Sequence, residues 1–131
     1  MSEFVHGSVR GWLRAEGVLV MAAAAALYGQ AGGSWTTFLL LFFLPDLSFA
    51  GYLGGPRVGA VIYNLVHSYA APLAATLVLL FAGSSVALPL IWVAHIGFDR
   101  ALGYGLKYPS SFHDTHLGRI GREKAPRSQA L

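Results

Sequence analysis

The chain has 131 residues, 55% of them hydrophobic and only 11% charged, with a formal net charge of +3. An ordinary soluble domain carries about 25% charged residues, yet Gly17 to Pro45 and Val58 to Phe98 contain no Asp, Glu, Lys or Arg. A fold this small has too much surface to leave such stretches without charge, which excludes a soluble globular enzyme, a disordered tail and a nucleic-acid-binding domain, and points to an all-α polytopic membrane protein.

In chain order, residues 1–15 predict an interfacial segment, because Val5, Val9, Trp12 and Leu13 share one helical face. Arg10 and Arg14 ahead of the apolar run Val18–Leu27 resemble a signal peptide, and the run is read as a retained membrane helix. A span needs about 20 mostly apolar residues, and residues 16–102 predict four transmembrane helices arranged as two hairpins. The first covers about Glu16–Gln30 and closes at Ala31-Gly32-Gly33. The second runs from Trp35 to about Leu53 across a break at Pro45-Asp46. The third follows Gly54-Gly55-Pro56-Arg57 and reaches about Phe81, with Pro72 inside it. The fourth follows Gly83-Ser84-Ser85 and ends near Leu102, with Pro89 in its first turns. Residues 103–131 predict an ordered loop rich in Gly, Pro, Ser and His, followed by a polar, mobile tail from Glu123.

Basic residues set the expected orientation. Arg10, Arg14, Arg57, Arg100, Lys107 and the tail's Arg119, Arg122, Lys124 and Arg127 fall on one side, while the loops around Gly32 and Ser84 carry no charge. The positive-inside rule then places both termini in the cytoplasm. A partial echo links the two halves: Asp46, Gly51-Tyr52 and Pro56 against Asp99, Gly103-Tyr104 and Pro109.

The chemistry-bearing residues are the ionisable ones within spans, where they are costly and mark function by default. Asp46 lies about 16 Å below Trp35, and His67 about 14 Å from the opposite end of its span, at roughly 1.5 Å per residue. His95 falls near mid-depth and Asp99 one turn beyond it, so the two share a helix face. These four therefore occupy one slab. Asn64, Tyr63 and Ser68 flank His67 as hydrogen-bond supports, and His113, Asp114 and His116 form a loop cluster on the same side. Taken singly, each has a plainer reading: packing histidines, an Asp46 N-cap, an Asp99-Arg100 interfacial pair, solvated loop residues. Four such costly residues at one level favour a shared site.

The runs Phe43-Leu-Pro-Asp-Leu-Ser48 with Gly51-Tyr52, Gly54-Gly-Pro-Arg-Val-Gly-Ala60, Tyr63-Asn64 and His67-Ser68-Tyr69 resemble one family. So do Ala94-His-Ile-Gly-Phe-Asp-Arg-Ala-Leu-Gly-Tyr-Gly-Leu-Lys-Tyr108, Phe112 and Thr115-His-Leu-Gly118. It is the set of small bacterial membrane proteins catalogued as domain of unknown function 4260, and the resemblance covers about Gly17–Gly118. It implies a four-span protein of the bacterial cytoplasmic membrane with no established activity. Pro45-Asp46 and His67-Ser68 are also similar to membrane-bound metal-dependent hydrolases. Ser48 stands where those often carry a second acid, and a further His-Arg element is missing.

Three functions fit these residues. In the first, His67, His95, Asp99 and Asp46 bind a divalent ion such as zinc. Asp46 is then the fourth ligand or a general base, and His116 a loop ligand or proton shuttle, for hydrolysis of a lipid or amphiphile. In the second, an oligomer carries protons through Asp46 and Asp99, with Gly59, Gly97 and Ala101 supporting contacts between protomers. In the third, His67 and His95 are axial ligands of a b-type haem. A structural role for buried polar groups is the remaining reading. Membrane lipids and further copies of the chain are the expected partners, with no nucleic acid. No cysteine is present, which excludes thiolate ligands and disulfides.

Overall fold

The computed structural model describes residues 7–110 and 112–120. Five α-helices follow in order: α1 (Gly7–Gln30), α2 (Trp35–Leu41), α3 (Pro56–His67), α4 (Ala70–Phe81) and α5 (Ala87–Leu102). A 3-10 helix, Leu44–Gly54, continues α2, and two short antiparallel strands, β1 (Asp114–Thr115) and β2 (Gly118–Arg119), close the described chain. The expected loop after residue 102 is therefore a small hairpin, joined to Lys107 by a bridge to Thr115. Val5 and the tail from residue 121, with Arg122, Lys124 and Arg127, lie outside the described residues.

The alanine run of α1 favours a helix strongly, and the helix continues unbroken through residues 15 and 16. It ends where Gly32 takes a positive φ of 76° and the Gly33 N–H donates to the Tyr28 carbonyl. Ser34 then caps α2 by accepting from the Thr37 N–H. At the other end of the fold, α5 stops at Gly103, with φ of 91°, and Tyr104 N–H donates to the Asp99 carbonyl.

The helices pair differently from the two hairpins read in the sequence. α1 lies antiparallel along α5, and the 3-10 helix lies along α3. Missing side chains make the first contact. A Cβ on Gly97 would stand 2.7 Å from Met21 N and 2.8 Å from the Gly17 carbonyl oxygen, so the two backbones touch there. Gly59 serves the second contact, because the Tyr52 ring occupies the space its Cβ would need. Both glycines thus work inside one chain, where the sequence had suggested contacts between protomers.

Membrane-crossing capacity is also smaller than four spans. Among the described residues, one helical stretch, Trp35–Gly54, is long and apolar enough to cross a membrane. A second exists only if α3 and α4, bent by 44° at their break, are counted as one span. α1 carries Arg10, Arg14 and Glu16 in its N-terminal half, which leaves too short an apolar remainder. α5 has 16 residues, about 24 Å of helix, and ends in Asp99 and Arg100. The exterior is nevertheless apolar: Leu40, Leu53 and Phe81 are 77%, 93% and 92% exposed. The Trp35–Gly54 stretch is mostly exposed, unlike a soluble protein's core helix.

The backbone contact yields a paired test. Gly97→Leu is expected to destabilise the protein by about 1–3 kcal/mol through overpacking against α1. Gly11→Ala, where nothing lies within 4 Å of a built Cβ, should be neutral or stabilise by about 0.5–1 kcal/mol. Thermal unfolding in detergent, followed by circular dichroism, distinguishes the two.

Candidate metal centre

His67 owes its position to the end of α3. The helix stops at His67, leaving the last carbonyls without intrahelical partners. α5 supplies them: the Trp92 indole N–H donates to the Val66 carbonyl at 2.6 Å, and Arg100 Nη2 donates to the His67 carbonyl at 2.9 Å. The His67 ring stacks on Tyr63, with centroids 3.8 Å apart and planes 8° from parallel. Its Nδ1 lies 3.0 Å from the Tyr63 carbonyl oxygen. A carbonyl only accepts, so Nδ1 carries a proton, and in the neutral ring Nε2 is the nitrogen left to bind a metal.

His95 sits on the buried face of α5, with Phe42 and Phe43 edge-on to its ring. Asp99 follows one turn later on the same face. Asp46 comes from the opening of the 3-10 helix, which starts after Phe43, and its own N–H donates to the Phe43 carbonyl. It is therefore inside the helix and not its N-cap.

These four side chains converge. His95 Nε2 lies 3.2 Å from Asp46 Oδ1, 3.2 Å from Asp99 Oδ2 and 3.3 Å from His67 Nε2. His67 Nε2 lies 3.3 Å from Asp46 Oδ1 and 3.5 Å from Asp99 Oδ2. All four donor atoms fall within 4.8 Å of one another. A tetrahedron with metal–ligand bonds of about 2.0–2.1 Å has edges of about 3.3–3.4 Å, which matches the five separations that involve an imidazole. Both histidine side chains are fully buried and Asp99 nearly so, while Asp46 is 32% exposed. The group could hold a metal ion, and Asp46 marks its accessible side. The same separations do not fit haem: axial ligands on opposite faces of one iron must stand about two metal–nitrogen bonds, roughly 4 Å, apart. Two carboxylates would also occupy the porphyrin's place.

The other residues singled out in the sequence take different places. Tyr63 supports His67 through its ring and carbonyl. Asn64 instead clamps the C-terminal loop, donating to the Lys107 carbonyl at 2.8 Å and accepting from the Lys107 N–H at 2.7 Å. Ser68 forms the α3 C-cap, and Ser48, which was not singled out as a support, brings its Oγ to 3.5 Å from His67 Nδ1. His113 packs against Phe112, and Asp114 accepts from Ser110 and faces Arg119. His116 stands outside the cluster: its Nδ1 accepts from the Leu106 N–H, and it lines a small cavity with Glu16, Tyr69 and Arg100. Burial, then the Arg100 charge, pushes its pKa down and favours the neutral ring.

Trp92, Arg100 and Lys107 were not anticipated as parts of the site's frame. The basic residues read as orientation signals bond to backbone carbonyls: Arg10 to Leu117, Arg14 to Ala101, Arg100 to Tyr104 as well as His67. Arg14 thereby serves the carbonyl-rich C-terminal end of α5, and Arg100 that of α3. The adjacency of Asp99 and Arg100 was the available signal, but it also describes a surface ion pair.

Among known proteins, the family described as domain of unknown function (DUF4260) matches residues 10–120. No curated protein and no solved structure matches the chain.

Lys107 roofs the site. Its Nζ donates to the Phe112 carbonyl and lies 3.6 Å and 4.6 Å from the Phe112 and Tyr63 ring centroids. Burial lowers its pKa to about 8, with the Asp99 charge pulling the other way. The folded state therefore binds its proton less tightly than the unfolded chain, and stability should rise as pH climbs from about 8 toward 10. Unfolding measured across that range checks this, and Lys107→Met should flatten the rise.

Proposed function

Because the chain belongs to the DUF4260 family, whose description assigns no activity, we propose from the site alone that Asp46, His67, His95 and Asp99 form a divalent-metal centre. We propose further that this centre serves a membrane-bound hydrolase acting on a lipid or other amphiphile. The observation that carries the reading is the convergence of four Lewis bases, five of their separations at tetrahedral spacing, with His67 Nδ1–H held by the Tyr63 carbonyl. Metal-ligating histidines characteristically donate their other N–H in this way.

Charge balance supports it. Two ionised carboxylates in a largely buried site are costly unless neutralised, and a divalent cation cancels both. The neighbouring cations Arg100 and Lys107 are committed to backbone carbonyls. A mixed imidazole and carboxylate set suits zinc or a similar ion. Such an ion lowers the pKa of a coordinated water toward 7 and polarises a carbonyl or phosphoryl oxygen. With His67, His95 and Asp99 as the protein ligands, the fourth position would be left to water, and Asp46, the one accessible member, would be placed to accept its proton. His67 and His95 stay fixed behind it, one by Tyr63 and the other by Phe42 and Phe43. The basic residues gathered at the C-terminal end of α5 favour the cytoplasmic side for that end.

A proton-coupled carrier is the second reading, favoured by the 3.3 Å separation of the two Nε2 atoms, which suits a shared proton. The first reading expects one divalent ion per chain in detergent-purified protein. His67→Ala or Asp99→Asn should weaken binding by roughly 100-fold or more, beyond the losses typical of supporting groups. Chelation should stop release of product from an ester-linked amphiphile, and metal should restore it. Absence of a stoichiometric ion, together with pH-dependent flux in proteoliposomes that Asp46→Asn abolishes, would replace the first reading with the second.

A further inference from the structure

On one side of the centre the protein becomes wholly apolar. A cavity of about 470 Å³ lies between the α2 and 3-10 segment, α3, α4 and the start of α5. That size is ordinary for a small-molecule site, about 300–1,000 Å³. Its wall offers no free side-chain donor where donors would be expected. The Trp92 indole N–H is consumed by the Val66 carbonyl, so only the ring faces the space. Pro45 and Pro89, which also line it, have no N–H. A sugar, nucleotide or peptide would lose its hydrogen bonds there without replacement.

The cavity approaches the centre along α5. On α5, Leu88, Ile91 and Trp92 precede His95 and Asp99 at spacings of three and four, which puts them on one face. From Leu88 to His95 is about 10 Å of helix. Pro45 and Val66, which also line the cavity, immediately precede Asp46 and His67 in the chain. The face runs from apolar at Leu88 to acidic at Asp99, and the basic groups Arg14, Arg100 and Lys107 gather at the acidic end. An amphiphile in the leaflet on that side has the same sense: head toward the charges, chain toward the bilayer middle.

We propose that this groove seats a single acyl chain of a membrane amphiphile, with its polar head at the Asp46, His67, His95 and Asp99 group. The inference rests on the metal-centre reading and gives its substrate a chain and a direction.

Trp92 provides the probe. With Trp12→Phe and Trp35→Phe, it is the sole tryptophan. The protein, in phosphatidylcholine vesicles, is titrated with bromine-labelled fatty acids of increasing chain length. Quenching should saturate, and affinity referred to the free aqueous fatty acid should rise about fourfold per added methylene, the equivalent of about 0.8 kcal/mol, until the groove is full. Ala75→Phe, which fills the cavity from α4, should weaken binding by about tenfold or more and leave divalent-ion binding unchanged. Leu79→Ala, which lengthens it, should move the chain-length plateau upward. Quenching that never saturates, follows only the probe's mole fraction and ignores both variants would identify bulk lipid and overturn the proposal. So would burial of Trp92 by a second copy of the chain, seen as quenching that depends on protein concentration. Ion binding without saturable quenching overturns the groove alone. Saturable, variant-sensitive quenching without any bound ion overturns the metal centre alone.

Discussion

Four Lewis-basic atoms gathered within 4.8 Å, two of them on carboxylates and each imidazole nitrogen 3.2–3.5 Å from the other three, repel one another unless positive charge stands among them. An uncompensated buried charge costs several kcal/mol, so the surrounding structure has to force the approach and something has to neutralise it. The forcing is visible in each element. α3 ends at His67, and α5 fills the broken end with Trp92 and Arg100. The change from α2 to a 3-10 helix brings Asp46 in. The glycine contact with α1 braces α5 from behind. Each departs from simple helical packing in the direction that closes the site.

The same arrangement divides the protein into a polar end and an apolar end. The loop after α5 is clamped by Asn64 and roofed by Lys107, which sits on the ring that stacks against His67. At the other end Leu79, Leu88 and Trp92 surround an oily space with no free donor. The candidate centre marks the boundary between them. Its exposed member, Asp46, comes from the Trp35–Gly54 stretch, which itself is long and apolar enough to enter a bilayer.

The site was more legible in the sequence than the architecture. Asp46, His67, His95 and Asp99 could be grouped because a charge-free background makes each exception conspicuous, and depth along a helix is simple arithmetic. Helical pairing was not legible, because sequence neighbours were assumed to be spatial neighbours. The contact that decides it, Gly17 against Gly97, depends on the absence of side chains. The number of spans was overestimated because low charge was equated with membrane exposure, whereas α5 buries its face against α1. Arg10, Arg14 and Arg100 illustrate the same ambiguity: a basic residue at a helix end satisfies a topology rule and a capping role equally well. Asn64 lies one turn before His67 and so looked like its support, but its amide carries both a donor and an acceptor and is spent on a strand-like backbone.

The ligands are spread along the chain: Asp46 precedes α3, His67 ends it, and His95 and Asp99 lie in the second half of α5. No N-terminal fragment that stops short of residue 99 contains the whole set. During synthesis, two of the four donors emerge only after the bent pair α3 and α4 has been made, and the guanidinium that steadies His67 comes last, at residue 100. A truncated or stalled chain would leave Asp46 and His67 without their partners. Completion of α5 is therefore required before all four donors can meet.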